Sequence, residues 1–371
     1  VPQQFDLTIE CIKRQNRGVS IPSTHPLISS ETASSPLIRA LRGETASHIP
    51  VWFMRQAGRS LPEYLKVREG VGMLDSCLRP ELTAEITLQP VRRHGVDAAI
   101  FFSDIVIPLR LAGVDVDIKP GVGPVLGSPV RTSADIERLE SLSLSDESLA
   151  PIREAIALIV AELGGTPLIG FAGAPFTLAA YMVEGKPSRD HLGARGLMLS
   201  HPDLWERLMQ WCARVTGQFL RAQVLAGASA AQLFDSWAGS LSLDAYKVHV
   251  APASASVFEQ IKDLEVPRIH FGTGTEHLLG AMRDTGATAM GVDYRTPLDQ
   301  ASALLGGNVP LQGNLDPAYL TAPWPVIEAH VRDVVARGRT APGHVVNLGH
   351  GVPPTTDPTV LTRIVELVHS L

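Results

Sequence analysis

The chain has 371 residues, of which 45% are apolar and 19% charged, and 38 acidic side chains face 32 basic ones. That length accommodates two ordinary domains or one α/β barrel, and an apolar share this large, with charge below the about 25% usual in soluble domains, excludes global disorder. A formal net charge of −6 excludes nucleic-acid binding through bulk positive charge, so any anion site must be local. The basic residues are unequal, 6 Lys against 26 Arg. Cys11, Cys77 and Cys212 are scattered, without CxxC or HxC spacing. No disulfide framework or zinc cluster is expected from them, and a cytoplasmic, reducing environment fits.

Residues 1–35 are rich in Ser, Thr, Pro and Gln and lack a sustained apolar period, so they read as a flexible N-terminal extension. No Lys/Arg-flanked apolar core marks a secretory leader there. Patterning begins at SPLIRALRG (35–43), a short helix with Ser34 or Ser35 as its cap. Eight short apolar runs follow, at 49–55, 96–104, 166–173, 229–236, 266–274, 288–294, 308–316 and 344–351. None alternates cleanly, as expected of parallel strands covered on both faces. Helical patterns lie between them, among them 80–95, 149–165 and 202–227, with Pro in first turns and Gly just past the ends. The alternation predicts one α/β domain over 36–371, a (β/α)8 TIM barrel. VDVDIKPGVGPVLGSPVRT (114–132) breaks the rhythm and predicts an inserted β-hairpin. Leu163 to Val183 carries no charge except at its edges, but its glycines and prolines divide it into loop, strand and helix start, so no membrane span is expected.

In such a barrel the chemistry belongs at the C-terminal strand ends. There the sequence places Arg55 and Arg59, Asp104, the AGAPFT turn, Asp235 with Ser236, and His350 between Gly349 and Gly351. Two arginines four apart repel on one helical face, so they want a shared anion: Glu63 or Glu69, or a bound carboxylate or phosphate gripped by planar forks. Asp104 after an apolar strand reads as a helix N-cap or loop hydrogen-bonder, or as a desolvated carboxylate serving a cation or N–H donors, and Asp235–Ser236 has the same ambiguity. Tyr181 fits a core position as well as a site. The glycines beside His350 contribute no packing and allow close ligand approach. Neither HxH nor HExxH accompanies it, so no metal is expected. GxGxxG and GxxxxGK[ST] are both missing, which leaves dinucleotide and P-loop chemistry unsupported. HFGTGTEHL (270–278) offers a weak phosphate-turn signal.

PVWFMRQAGRSLPEY (50–64) resembles the first signature of the uroporphyrinogen decarboxylase family, and GFAGAPFTLAAYMVEG (170–185) resembles its second. FFSDI (101–105), FDSWAG (234–239) and NLGHG (347–351) fall in the family's order, and the likeness runs from about residue 36 to the C-terminus. The resemblance implies a single (β/α)8 barrel, usually a homodimer, acting in heme biosynthesis without cofactor. It implies conversion of the four acetates of uroporphyrinogen III to methyls, giving coproporphyrinogen III and four CO2. Carried onto this chain, the substrate-binding residues are Arg55, Gln56, Ala57, Gly58, Arg59, Asp104, Tyr181, Ser236 and His350, with Asp104, Arg55 and His350 as the catalytic set. The chain departs from the pattern at Ser60, where the family usually has Tyr, which predicts a missing wall or hydroxyl beside Arg59.

The chemistry agrees with that transfer. Protonating a pyrrole α-carbon creates a cationic sink for the electrons released with CO2, so neither metal nor pyridoxal is required. Asp104 would accept pyrrole N–H bonds and stabilise that cation. Arg55 is a poor acid with a pKa above about 12, which leaves His350, an acid–water relay or a substrate carboxyl to carry the proton. Two alternatives stand beside this. A corrinoid-linked methyltransferase of the same barrel superfamily wants an HxC…C zinc site that three scattered cysteines do not supply. A non-catalytic tetrapyrrole carrier keeps the arginines but has no cation for Asp104 to stabilise.

Overall fold

Seven of the eight apolar runs pair as parallel strands in the computed structural model, which describes residues 21–119 and 121–371. The strands are β1 (Ala99–Ile100), β4 (Leu168–Gly173), β5 (Ala230–Asp235), β6 (Arg268–Gly272), β7 (Ala289–Gly291), β8 (Leu311–Gln312) and β9 (His344–Val345), side by side in that order. Every residue of β4 and β5 is buried; β4 is accordingly a continuous apolar run, and β5 departs from one only at Gln232 and Asp235. Inside the curl, Trp52 donates to Gln312 at 3.0 Å and Gln312 donates to Gln232 at 3.0 Å, a chain of bonds that leaves only the Gln232 Nε2 of these side chains without a partner.

The run at 49–55 corrects the expectation of eight regular strands. The sheet has seven strands, and this run makes only an isolated parallel bridge, Val51 to Val346. On one side Val346 N–H donates to Pro50 O and Trp52 N–H to Val346 O. On the other, Asp97 N–H reaches Val51 O at 2.9 Å while Val51 N–H is taken by the Asp97 carboxylate at 2.8 Å. The next two N–H groups, of Phe53 and Met54, go to the side chains of Gln56 and Asn347. Side-chain acceptors have replaced the ladder, and a regular strand cannot continue past them.

The hairpin is present, with β2 (Val116–Lys119) antiparallel to β3 (Gly123–Leu126). It is moored to the helix Pro175–Glu184 by Leu126 N–H to Gly185 O and Val130 N–H to Met182 O. The main helices are α1 (Pro62–Val67), α2 (Pro80–His94), α3 (Ala150–Leu163), α4 (Pro175–Glu184), α5 (Pro202–Ala226) and α6 (Pro358–His369), each with Pro in its first turn. In α5, Trp205, Leu208, Cys212, Val215 and Phe219 recur at helical spacing and are buried against the sheet. Among the described residues no helix is long and apolar enough to cross a membrane; 163–183 divides into a glycine turn, β4 and α4.

The expected extension needs correction over its second half; residues 1–20 lie outside the described residues. Pro26–Ser29 and Glu31–Ser34 form short helical turns, and Ile21 and His25 are buried. The His25 Nε2 lies 3.0 Å from Val224 O and 3.3 Å from Ala228 O at the C-terminal end of α5. Terminal carbonyls of a buried helix need donors, and this imidazole supplies one.

Candidate active site

A cavity of about 1270 Å³ opens beyond the C-terminal ends of the strands. Phe171, Phe234 and Phe271, from the adjacent strands β4, β5 and β6, line it. They meet edge to face, with ring centroids 5.3 and 5.8 Å apart. The hairpin lines another part through Asp117, Ile118 and Lys119.

The segment 53–61 is a set of turns rather than a helix, so Arg55 and Arg59 do not share a helical face as the spacing implied. Arg55 sits in the left-handed region at φ 61. Gln56 spends its amide inward, accepting from Phe53 N–H and donating to Ala98 O, both at 3.0 Å. It is fully buried and does not line the cavity, in contrast to the other expected site residues. Its position fixes the turn that carries Arg55, Ala57, Gly58 and Arg59 to the cavity. Neither arginine has a carboxylate within 4.0 Å among the described residues. Glu63, one of the internal partners considered, is bound to Arg93 at 2.6 and 2.7 Å. Ser60 is buried with an unpartnered hydroxyl and is not part of the cavity wall.

Asp104 follows β1, where Phe102 N–H ends the ladder on Thr87 Oγ1. Its Oδ1 accepts from Val106 N–H at 3.1 Å in a local turn; the helix Ile107–Leu111 that follows has no side-chain cap, so Asp104 is a loop hydrogen-bonder through one oxygen rather than a helix cap. Oδ2 has no protein partner among the described residues, and the side chain lines the cavity. Loss of water raises its carboxyl above the ordinary range, against the pull of the Val106 N–H and the Arg55 charge. Tyr181 on α4 is pushed up to about 12 by burial and then by the Asp104 charge, so its hydroxyl keeps its proton. Its ring lies on Trp237, with centroids 3.9 Å apart.

His350 also lines the cavity, and the glycines beside it serve the protein rather than a ligand. A Cβ on Gly349 would meet the Tyr294 backbone nitrogen at 2.1 Å, and one on Gly351 would meet Arg55 Cδ at 2.4 Å. The NLGHG turn is thus the surface across which the Arg55 stem lies. Val352 N–H to Met54 O completes the junction. The His350 imidazole is held below its ordinary value by burial and then by Arg55 and Arg295, against Asp293, so it is neutral at pH 7.

Behind Ser236 lies a buried pair that spacing did not reveal. Asp235 Oδ1 accepts from Thr177 at 2.8 Å, and its Oδ2 stands 4.0 Å from His270 Nε2; neither of these facing atoms has another partner. Burial raises Asp235 to about 7 and lowers His270 to about 4. Near neutral pH the pair holds no full ion pair. Asp235 reads as a capping candidate, and His270, Trp237, Thr177 and the three phenylalanines lie within sequence motifs, but no motif assigns them these contacts; strand register brings them together.

The family model described as uroporphyrinogen decarboxylase (URO-D) matches residues 32–371. Uroporphyrinogen decarboxylase of Arthrobacter sp. (strain FB24) is 69% identical over 344 residues, covering 93% of this chain and 99% of the relative. That of Leifsonia xyli subsp. xyli (strain CTCB07) is 60% identical over 369 residues, covering 94% and 98%. Among solved structures, a methyltransferase from Methanosarcina mazei superposes with a TM-score of 0.76 at 18% identity, covering 92% of this chain and 98% of that one. At that identity the likeness is one of fold alone.

Proposed function

The chain belongs to the uroporphyrinogen decarboxylase family, and from that premise we propose how its cavity performs the cofactor-independent decarboxylation of uroporphyrinogen III to coproporphyrinogen III. The observation that carries the assignment of roles is Asp104: a poorly solvated carboxylate, one oxygen spent on Val106 and the other open to the cavity. A carboxyl raised by burial is an anion short of positive charge, and a protonated pyrrole supplies what is missing. In our reading Oδ2 accepts the pyrrole N–H bonds, and the electrons freed by loss of CO2 flow into the cationic ring beside it. The exocyclic methylene left behind then takes a proton to become the methyl as the ring α-carbon releases the one it gained.

Arg55 and Arg59 grip substrate carboxylates, a role supported by their lack of an internal partner. The phenylalanines, with Tyr181 on Trp237, give the macrocycle apolar faces. Ser236 adds a hydroxyl at the end of β5. His350, neutral in the free protein, gains a proton most readily when substrate carboxylates offset Arg55 and Arg295, which makes it our candidate for delivering the α-carbon proton. The methyl transfer named for the Methanosarcina mazei structure is not carried over, since fold likeness does not transfer chemistry.

We further propose that the 49–52 segment closes the sheet into a barrel through the bonds of Val51 and Trp52, and that the protein works as a cytoplasmic homodimer, as the resemblance implies. Sedimentation equilibrium tests the dimer. Anaerobic incubation with uroporphyrinogen III, with products separated by carboxyl number, tests the reaction. Seven-, six-, five- and four-carboxyl species should appear in succession. Stoichiometric binding without product would mark a carrier instead.

A further inference from the structure

At the opposite end of the sheet from the cavity, three side chains distant in sequence converge. Asp97 precedes β1, His48 precedes the Val51 bridge, and His369 ends α6. His48 Nε2 lies 2.7 Å from Asp97 Oδ1, and His369 Nε2 lies 2.8 Å from Asp97 Oδ2. The two imidazoles meet edge to face with centroids 4.6 Å apart, and the three ligand atoms all lie within 4.8 Å of one another.

We propose that His48, Asp97 and His369 form a binding site for a divalent transition-metal ion of the zinc type. Two imidazoles and one carboxylate are a donor set that zinc accepts, with solvent in the fourth position. Bonds of about 2.0–2.2 Å in a tetrahedron set ligand atoms about 3.3 Å apart. The imidazole nitrogens therefore need to open from the carboxylate by about half an ångström, within reach of side-chain rotation at partly exposed positions. Supporting contacts are already in place. Ser47 Oγ lies 3.2 Å from His48 Nδ1, where it accepts the ring proton once Nε2 binds metal. Val51 N–H holds Asp97 Oδ2 at 2.8 Å and fixes the carboxylate.

The site lies at the seam where side-chain acceptors replace the strand ladder. An ion there ties α6 and the approach to the Val51 bridge to the start of β1. It takes no part in decarboxylation, and its test does not depend on the assigned activity.

The experiment is zinc binding to the full chain after chelator treatment, read by equilibrium dialysis with elemental analysis and by the shift in Tm. One zinc per chain at low micromolar free Zn2+, with Tm raised by several degrees, is expected. His48→Gln and His369→Gln keep an amide donor toward Asp97, so the fold is retained, and each should weaken zinc binding at least about tenfold. Co2+ should give visible absorption of a low-coordinate nitrogen–oxygen site that both variants lose. Binding that is substoichiometric, or equally tight in both variants, overturns the proposal and leaves a hydrogen-bonded His–Asp–His clasp.

Discussion

Replacing Gly351 by Ala isolates the placement of Arg55 from its chemistry. Gly351 is buried, and its backbone lies outside the left-handed region, so alanine fits the main chain. The new Cβ would stand 2.4 Å from Arg55 Cδ and 2.8 Å from Cγ. Carbon atoms rest at about 3.5–4.0 Å, so the arginine stem must retreat by about 1 Å or more. A flexible side chain can do so without unfolding the turn, and Tm should change little. A catalytic group displaced by 1 Å can cost about 10² in rate, or about 2.7 kcal/mol of transition-state stabilisation. Steady-state kinetics with uroporphyrinogen III, beside thermal melts, read both quantities. Gly349→Ala is the contrasting control: its Cβ meets backbone at 2.1 Å, so stability should fall first. Near-normal kcat/KM for Gly351→Ala would refute the argument that this contact places a reacting arginine.

Three further outcomes are expected. Asp104→Asn should lose about 10²–10³ in turnover while melting normally, since an amide oxygen can still accept from Val106 N–H, and Asp104→Glu should retain part of the activity; an active Asn variant would make Asp104 a turn residue only. Gln56→Ala strands Phe53 N–H and Ala98 O in the interior, and denaturant unfolding should show a loss of about 1–3 kcal/mol for each; unchanged stability would contradict the buried role. In the unfolded chain the shared proton of the Asp235–His270 pair sits on His270 between about pH 4 and 6.5, and in the folded chain it sits on Asp235, so their opposite effects on stability offset each other there. Asp235→Asn leaves a histidine of lowered pKa, so Tm should rise with pH through that interval; His270→Gln leaves a carboxyl of raised pKa, so Tm should fall as pH climbs toward 7. Parallel, flat profiles for both variants would dissolve the pair.

What the sequence makes legible follows from how far apart the cooperating residues lie. The buried strands announce themselves because each is covered on both faces, and α5 because Trp205 to Phe219 keep one helical period. Asp104 and His350 stand out since each follows an apolar run directly. The irregularity at 49–55 is hidden, because its cause lies in Gln56, Asn347 and the Asp97 carboxylate, acceptors whose reach depends on tertiary placement. Gln56 illustrates the same limit: inside a signature it reads as a substrate contact, yet its amide points into the protein. The glycines beside His350 read as room for a ligand, whereas the groups that approach them closely are Arg55 and Tyr294. His48, Asp97 and His369 span nearly the whole chain, so no local spacing could join them.

The bed made by Phe171, Phe234 and Phe271 has a consequence for how one pocket serves four acetates. Aromatic edges and faces attract pyrrole rings joined by tetrahedral carbons through dispersion, which has little angular preference. In the proposed function the directional contacts come from Arg55, Arg59 and Asp104. A macrocycle built of four similar pyrroles presents nearly the same apolar surface to that bed after each quarter turn. The substrate can therefore be re-indexed at small energetic cost, with the single carboxylate acting as a fixed reading head past which the four rings are brought in turn.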